Sequence, residues 1–281
     1  NAAMLLYDFL SFDKTLPCHK IMSRDEFIKY EPSVSRENLV GAAIYYDAQV
    51  TYPERICVEN AIMAAQASAV VINHAEVISL KNELGQITSL TFLDRLSDKH
   101  FTVKGKQIIN VSGPWVDKLC SLASHGMKRK VGGTKGSHII VNKFPSVPNH
   151  AIYSSAKFDN RPFFIIPWND LILIGTTDTH YDGNLDSVNA TKSEVDYLIS
   201  EANNLITGYK LEKKDILYTY SGIRPLPYIS NTKPGAITRK HIIFDHKNEG
   251  ISNLISVIGG KLTTYRNLSE QATDLLFKKL G

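Results

Sequence analysis

No stretch of the sequence approaches the roughly 18 consecutive apolar residues that a membrane-spanning helix needs. The richest window, Ala61–Ile72, is broken by Gln66 and Ser68. Membrane-spanning helices are therefore excluded. Cysteine is scarce: Cys18, Cys57 and Cys120 are odd in number, widely spaced, and form neither a C-x-x-C pair nor a cluster with histidine. That argues against a disulfide framework and a zinc site, and predicts buried thiols in a reducing compartment. Charge of one sign is not in surplus, since 32 Lys and Arg face 28 Asp and Glu for a net charge of +4. Such a balance excludes nucleic acid as the expected partner and suits an anionic small molecule or a negatively charged membrane surface. Also lacking are an initiator methionine and a basic-then-apolar leader. Asn1-Ala2 reads as a cloning remnant, and the chain as a segment cut from something longer.

What is present is ordinary globular material. The chain has 281 residues, 43% apolar and 21% charged, enough for one large domain or two interleaved ones. Ser23 with Glu26 and Thr191 with Glu194 each have capping-box spacing and predict helix starts. Pro53 suits the first position of a helix running to about Ala67, after which Ala69–Ile72 reads as a short buried strand. His74–Leu80 and Gln86–Asp94 read as a hairpin, and Lys106–Val111 as an apolar strand before a helix from Trp115. Further strands are expected at Ala42–Ala48, Ser137–Asn142, Ala151–Tyr153, Pro162–Trp168, Leu171–Gly175, Ile216–Leu226, Ala236–Thr238, His241–Asp245 and Leu254–Ile258. A last helix is expected from Thr263 to Lys279. This order predicts a mixed α/β protein in which a mainly antiparallel sheet domain is inserted between pieces of an α/β domain.

Five runs could carry chemistry. In Ile255-Ser256-Val257-Ile258-Gly259-Gly260-Lys261-Leu262-Thr263 a strand enters a Gly-Gly turn and leaves as a helix, exposing backbone N–H groups to an anion or a polarised carbonyl. A P-loop would need glycine at position 255 and Ser or Thr at 262; Ile255 and Leu262 stand there instead. Arg224, in Ser221-Gly222-Ile223-Arg224-Pro225-Leu226, is either paired to an acidic neighbour or aimed at a ligand anion. Gly132-Gly133-Thr134-Lys135-Gly136-Ser137-His138 delivers a histidine onto a strand, as a general base or as a structural group. Thr176-Thr177-Asp178-Thr179 places hydroxyls and a carboxylate at a strand end, and Ser112-Gly113-Pro114-Trp115 leaves a strand through glycine. Plain turns and caps would account for each run taken alone.

Taken together, SGPWVD, GTKGSHIIV, FFIIPW, IGTTDT, SGIRPL and IGGKLTTYR resemble the FAD-dependent glycerol-3-phosphate dehydrogenases, flavoproteins of the glycine/D-amino-acid oxidase type. The likeness runs from about Tyr7 to Arg266, with departures such as Val111-Ser112, where the family commonly has Ala-Thr. It implies residues 1–50 as a helical cap segment, 51–130 and 251–281 as parts of a Rossmann-like FAD-binding domain, and 131–250 as the antiparallel-sheet substrate domain. It also implies oxidation of the C2 alcohol of sn-glycerol 3-phosphate to dihydroxyacetone phosphate, with electrons passing from FAD to quinone, or to oxygen in an oxidase. By the same resemblance His138, Arg224 and Lys261 would be catalytic, with Arg224, Lys261, Thr177 and Asp178 binding substrate. Val77, Gly113, Pro114, Gly260, Leu262 and Thr263 would contact FAD. The implied location is cytoplasmic or peripheral on the inner membrane face. A related flavin oxidase of an amino acid or 2-hydroxy acid, or a non-enzymatic anion-binding module, are the alternatives.

The sequence contains no G-x-G-x-x-G turn, which in a dinucleotide fold follows the first strand and holds the pyrophosphate. The resemblance thus describes a fragment without that segment or the family's C-terminal helical domain. The expectation is that this polypeptide alone binds FAD weakly or not at all and is inactive.

Overall fold

Residues 2–11 and 15–281 are described by a computed structural model; Asn1, from the expected cloning remnant, lies outside them. In chain order the elements are α1 (Ala2–Leu10), β1 (Lys20–Ser23), α2 (Arg24–Tyr30), β2 (Gly41–Ile44), α3 (Pro53–Gln66), β3 (Ala75–Glu83), β4 (Gln86–Asp94) and β5 (Lys99–Val103). There follow β6 (Ile108–Asn110), α4 (Val116–Ala123), β7 (Thr134–Asn142), β8 (Ile152–Ser155), β9 (Pro162–Trp168), β10 (Leu171–Gly175) and β11 (Thr179–His180). The last are α5 (Lys192–Leu205), β12 (Ile216–Arg224), β13 (Ile242–Asp245), β14 (Leu254–Ile258) and α6 (Tyr265–Leu280). Both capping boxes form: Ser23 and Thr191 accept from the N–H groups of Glu26 and Glu194, whose carboxylates reach back to the cap N–H groups.

Two compact units result. One comprises the chain up to Tyr52 with Ser137–Thr177 and Asn189–Ser221; the other comprises Pro53–Gly136, Asp178–Val188 and Gly222–Gly281. The chain passes between them inside β7 and β12, so this division differs from segments cut at 130/131 and 250/251.

In the first unit β7, β10, β9 and β8 lie side by side, all antiparallel, and β12 pairs with β7. Side chains of a strand alternate between faces. Ile139 and Val141, Phe163 and Ile165, and Ile172 and Ile174 accordingly form one buried layer, which α5 covers with Leu198 and Ala202. Those two are four apart and share a helix face. His138 sits at the intervening register, opposite Gly175, and points away from this core.

The second unit holds the antiparallel sheet β3-β4-β5 and the sheet β13-β14-β6, in which β14 and β6 run parallel. Leu84 and Gly85 close the β3–β4 hairpin with φ of 52° and 82°, as a two-residue primed turn requires. Asn253 joins the sheets: its side chain accepts from the Ile87 N–H at 2.8 Å and donates to the Ile87 carbonyl at 2.9 Å. Under the parallel pair, α4 buries Val116, Cys120 and Ala123.

Three expectations fail. Ala69–Ile72 forms no strand, and Val70, Val71 and Ile72 are exposed. Ser68, at φ +69°, ends the preceding helix, and no described strand pairs with the apolar run that follows. Residues 236–238 are not a strand either; Pro234 nucleates a 3-10 turn over Pro234–Ala236. Of the three thiols only Cys120 is buried, while Cys18 and Cys57 are exposed.

Candidate active site

In the second unit, β6 and β14 end side by side, with Ser256 of β14 opposite Asn110 of β6. Each strand then leads through glycine and a 3-10 turn into a helix: Gly113–Trp115 into α4, and Leu262–Thr264 into α6. The carboxyl ends of parallel strands, where helix N-termini and bare N–H groups collect, are where an α/β sheet binds ligands. Gly113 (φ +58°), Gly259 (φ +73°) and Gly260 (φ +96°) hold left-handed conformations that favour glycine. A Cβ on Gly113 would meet nothing within 4 Å. Val111 and Leu262 are exposed beside these turns. Open backbone flanked by apolar side chains fits a flat ring with polar edges.

Asn110 supports the first turn from below. It is buried, accepts from the N–H (3.2 Å) and hydroxyl (2.6 Å) of Ser112, and donates to the Val116 carbonyl at 3.0 Å. Cys120, Ser256 and His246 continue the polar contacts inward. His246 is fully buried, with Nε2 2.7 Å from Ser256 Oγ and Nδ1 2.9 Å from Glu249. Burial pushes His246 below the ordinary histidine value, although Glu249 pulls the other way, and burial raises the Cys120 thiol. Serine, histidine and carboxylate in line resemble a nucleophile with its base. Here both Ser256 and His246 are inaccessible, so the line is scaffolding.

Parts of four of the sequence runs meet in this unit. The Gly259 N–H donates to the Pro225 carbonyl at 2.8 Å, and the Gly132 N–H to the Leu226 carbonyl at 2.9 Å. Arg224 lies across Gly136, where a Cβ would stand 2.7 Å from the guanidinium carbon and Nη1 and nearer still to Nη2. Arg224 Nη1 donates to Asp178 at 3.0 Å, and Arg239 reaches the other Asp178 oxygen at 3.8 Å. The acidic neighbour foreseen for Arg224 is therefore Asp178. About a quarter of the Arg224 side chain is exposed (24%). Lys261 caps the 3-10 turn with an exposed side chain; Gly260 and Pro114 are half-buried in their turns, and Thr263 is exposed. Val77, on β3 opposite Phe92, packs against the Leu80–Ile87 core.

The first unit holds the other two candidates. Thr177 is buried, and its hydroxyl accepts from the Ser137 N–H (2.9 Å) and donates to Glu194 (3.0 Å). The Ser137 hydroxyl also reaches Glu194, at 3.0 Å, and the Ser221 hydroxyl at 2.7 Å. Glu194 thus serves as capping-box residue and as acceptor for the Ser137 and Thr177 hydroxyls; only the first duty is legible in its spacing. His138 stacks on Tyr220, ring centroids 4.8 Å apart and planes 11° from parallel. Sequence spacing does not single out Tyr220, Gly136, Gly175 or Asn110 as site residues. For Tyr220 a signal existed, since Tyr218 and Tyr220 alternate in a strand that leads to Arg224.

No group of three or more metal-binding side chains occurs among the described residues, and no described helix is long and apolar enough to cross a membrane.

The FAD dependent oxidoreductase family profile matches residues 6–266. A glycerol-3-phosphate dehydrogenase of Synechocystis sp. is 48% identical over 290 residues, covering 100% of this chain and 52% of that protein. An aerobic glycerol-3-phosphate dehydrogenase of Staphylococcus aureus is 33% identical, covering 98% of this chain and 49% of that protein. The crystal structure of glycerol-3-phosphate dehydrogenase from Bacillus halodurans complexed with FAD superposes with a TM-score of 0.80 at 30% identity, over 92% of this chain and 49% of that one. The chain spans about half the length of the curated relatives it matches.

Proposed function

We propose, from the premise that the chain belongs to the FAD dependent oxidoreductase family, that its protein oxidises the C2 alcohol of sn-glycerol 3-phosphate to dihydroxyacetone phosphate. The observation that carries this reading is the docking of the Arg224 strand on the Gly259 turn, which fixes a guanidinium in the same unit as the turns that suit a flat cofactor.

FAD, when bound, supplies the acceptor for the two electrons and the hydrogen that leave C2. Gly113, Pro114, Gly260, Leu262 and Thr263 would hold its ring, and Val77 its adenine end. Everything else falls to side chains. A phosphate dianion requires fixed cations. Arg224, flattened on Gly136 and steadied by Asp178, would meet the anionic or hydroxyl end of the substrate with little rotamer freedom to lose. Lys261 would add a point charge from the adjoining turn. Asp178 would act by orienting Arg224, and Thr177, whose hydroxyl is engaged by Glu194, by holding the strand end from which Asp178 projects. An imidazole nitrogen of His138 would take the hydroxyl proton as the C2 hydrogen departs. Electrons would pass onward to a quinone. The location that goes with this is the cytoplasm or the inner membrane face, where the net charge of +4 suits an anionic surface.

Arg224→Ala and Lys261→Ala in the full-length protein are expected to lower turnover of sn-glycerol 3-phosphate by orders of magnitude at unchanged flavin content. Near-normal turnover in both variants would reject this site.

A further inference from the structure

We infer that Tyr220 and Gly175 are positioning residues that together fix the plane of the His138 imidazole, an inference that rests on reading His138 as the proton acceptor. The ring lies on the central strand β7 between two neighbours, β10 and β12. On the β10 side it covers Gly175, its register partner. A Cβ on Gly175 would lie 2.8 Å from both Cγ and Nε2 of His138 and nearer still to Cδ2. Gly175 is part of an extended strand and is not among the glycines with positive φ. Its φ is one that alanine adopts, and the missing side chain is the room the imidazole occupies. On the β12 side the Tyr220 ring is stacked face to face, 4.8 Å between centroids and 11° between planes. Neither contact is part of the Ile139–Ile174 core, which lies on the other face of the sheet.

A base that takes a proton as a C–H bond breaks must present its lone pair along one direction, and a misplacement of about 1 Å can cost about 100-fold in rate. A histidine with one strand neighbour could swing about χ1 and χ2. Packed between a glycine and an aromatic face, it keeps one plane. The flat ring of Tyr220, not its hydroxyl, holds the imidazole plane.

The test uses the full-length flavoprotein. Tyr220→Phe should keep wild-type kcat. Tyr220→Leu, which keeps apolar bulk without a flat face, and Gly175→Ala, which pushes from the opposite side, should each lose about 100-fold in kcat with KM and flavin content unchanged. In protein carrying ring-labelled histidine, the His138 ring protons of wild type and Tyr220→Phe should resonate upfield through the ring current, and Tyr220→Leu should lose that shift. Gly175→Ala should destabilise the wild type but not the His138→Ala background, because the collision is with the imidazole. Full kcat in both Tyr220→Leu and Gly175→Ala, with His138→Ala inactive, would overturn the positioning role alone. Wild-type rate in His138→Ala would overturn the reading beneath it. Absence of the upfield shift in the wild type would overturn the stacking itself, whether or not any variant folds.

Discussion

Helices α5 and α3 are both 14 residues long, yet α5 buries Glu194, Leu198, Glu201 and Ala202 while α3 buries nothing. Val58, Ile62 and Met63 of α3 stand exposed, as do Val70, Val71 and Ile72 just beyond it. The difference bears on the surroundings of the proposed site residues within each unit. In the first unit, His138 rests on strands whose other face is filled, so a change in those strands disturbs packing as well as the proposed chemistry. In the second, Gly113 has open space beside it and the Lys261 side chain is exposed. A substitution such as Lys261→Ala should therefore alter ligand handling while leaving melting temperature unmoved.

The contrast can be broken by truncation. Leu198→Ala empties a fully buried site and should cost about 3 kcal/mol in urea unfolding, whereas Ile62→Ala should stay within about 0.5 kcal/mol. Equal costs would mean that α3 is covered in solution. Glu194→Ala removes the acceptor for the Ser137 and Thr177 hydroxyls and the Thr191 cap, and should cost about 2 kcal/mol; Glu194→Gln, which keeps one carbonyl oxygen, should cost less. A smaller effect comes from His246, whose value is pushed down by burial. Above the unfolded-state value of about 6.5 both states hold it neutral and the stability is complete. As pH falls below that, the unfolded chain takes the proton first, so unfolding free energy drops until the lowered native value is reached. Denaturation curves of wild type and His246→Gln should converge on acidification. The smallest effect is chemical: a brief thiol alkylation followed by mass spectrometry should label Cys18 and Cys57 and spare Cys120.

Much of the fold was legible because its signals are local. The two capping boxes, the Leu84-Gly85 hairpin and the strands Pro162–Trp168, Leu171–Gly175 and Leu254–Ile258 lie where the sequence puts them. Ala69–Ile72 misled because an apolar run becomes a strand only with a strand beside it. The β5 strand is hard to read because all of Lys99–Val103 is exposed and its alternation is confined to His100–Val103. At the site, the motifs located the turns and the charged groups. Their partners lie far along the chain: Asp178 is 46 residues from Arg224, and Gly175 and Tyr220 meet His138 only through sheet register and stacking. Spacing carries no record of such pairings.

Anaerobic titration of the full-length protein with substrate, followed in the visible flavin band, reads out which alcohol or amine reduces the flavin. sn-Glycerol 3-phosphate is expected to bleach the band in the wild type, glycine and lactate are not, and Arg224→Ala and Lys261→Ala are expected to resist bleaching while retaining flavin. Bleaching by an amino acid or a 2-hydroxy acid, with no response to sn-glycerol 3-phosphate, would contradict the proposed function.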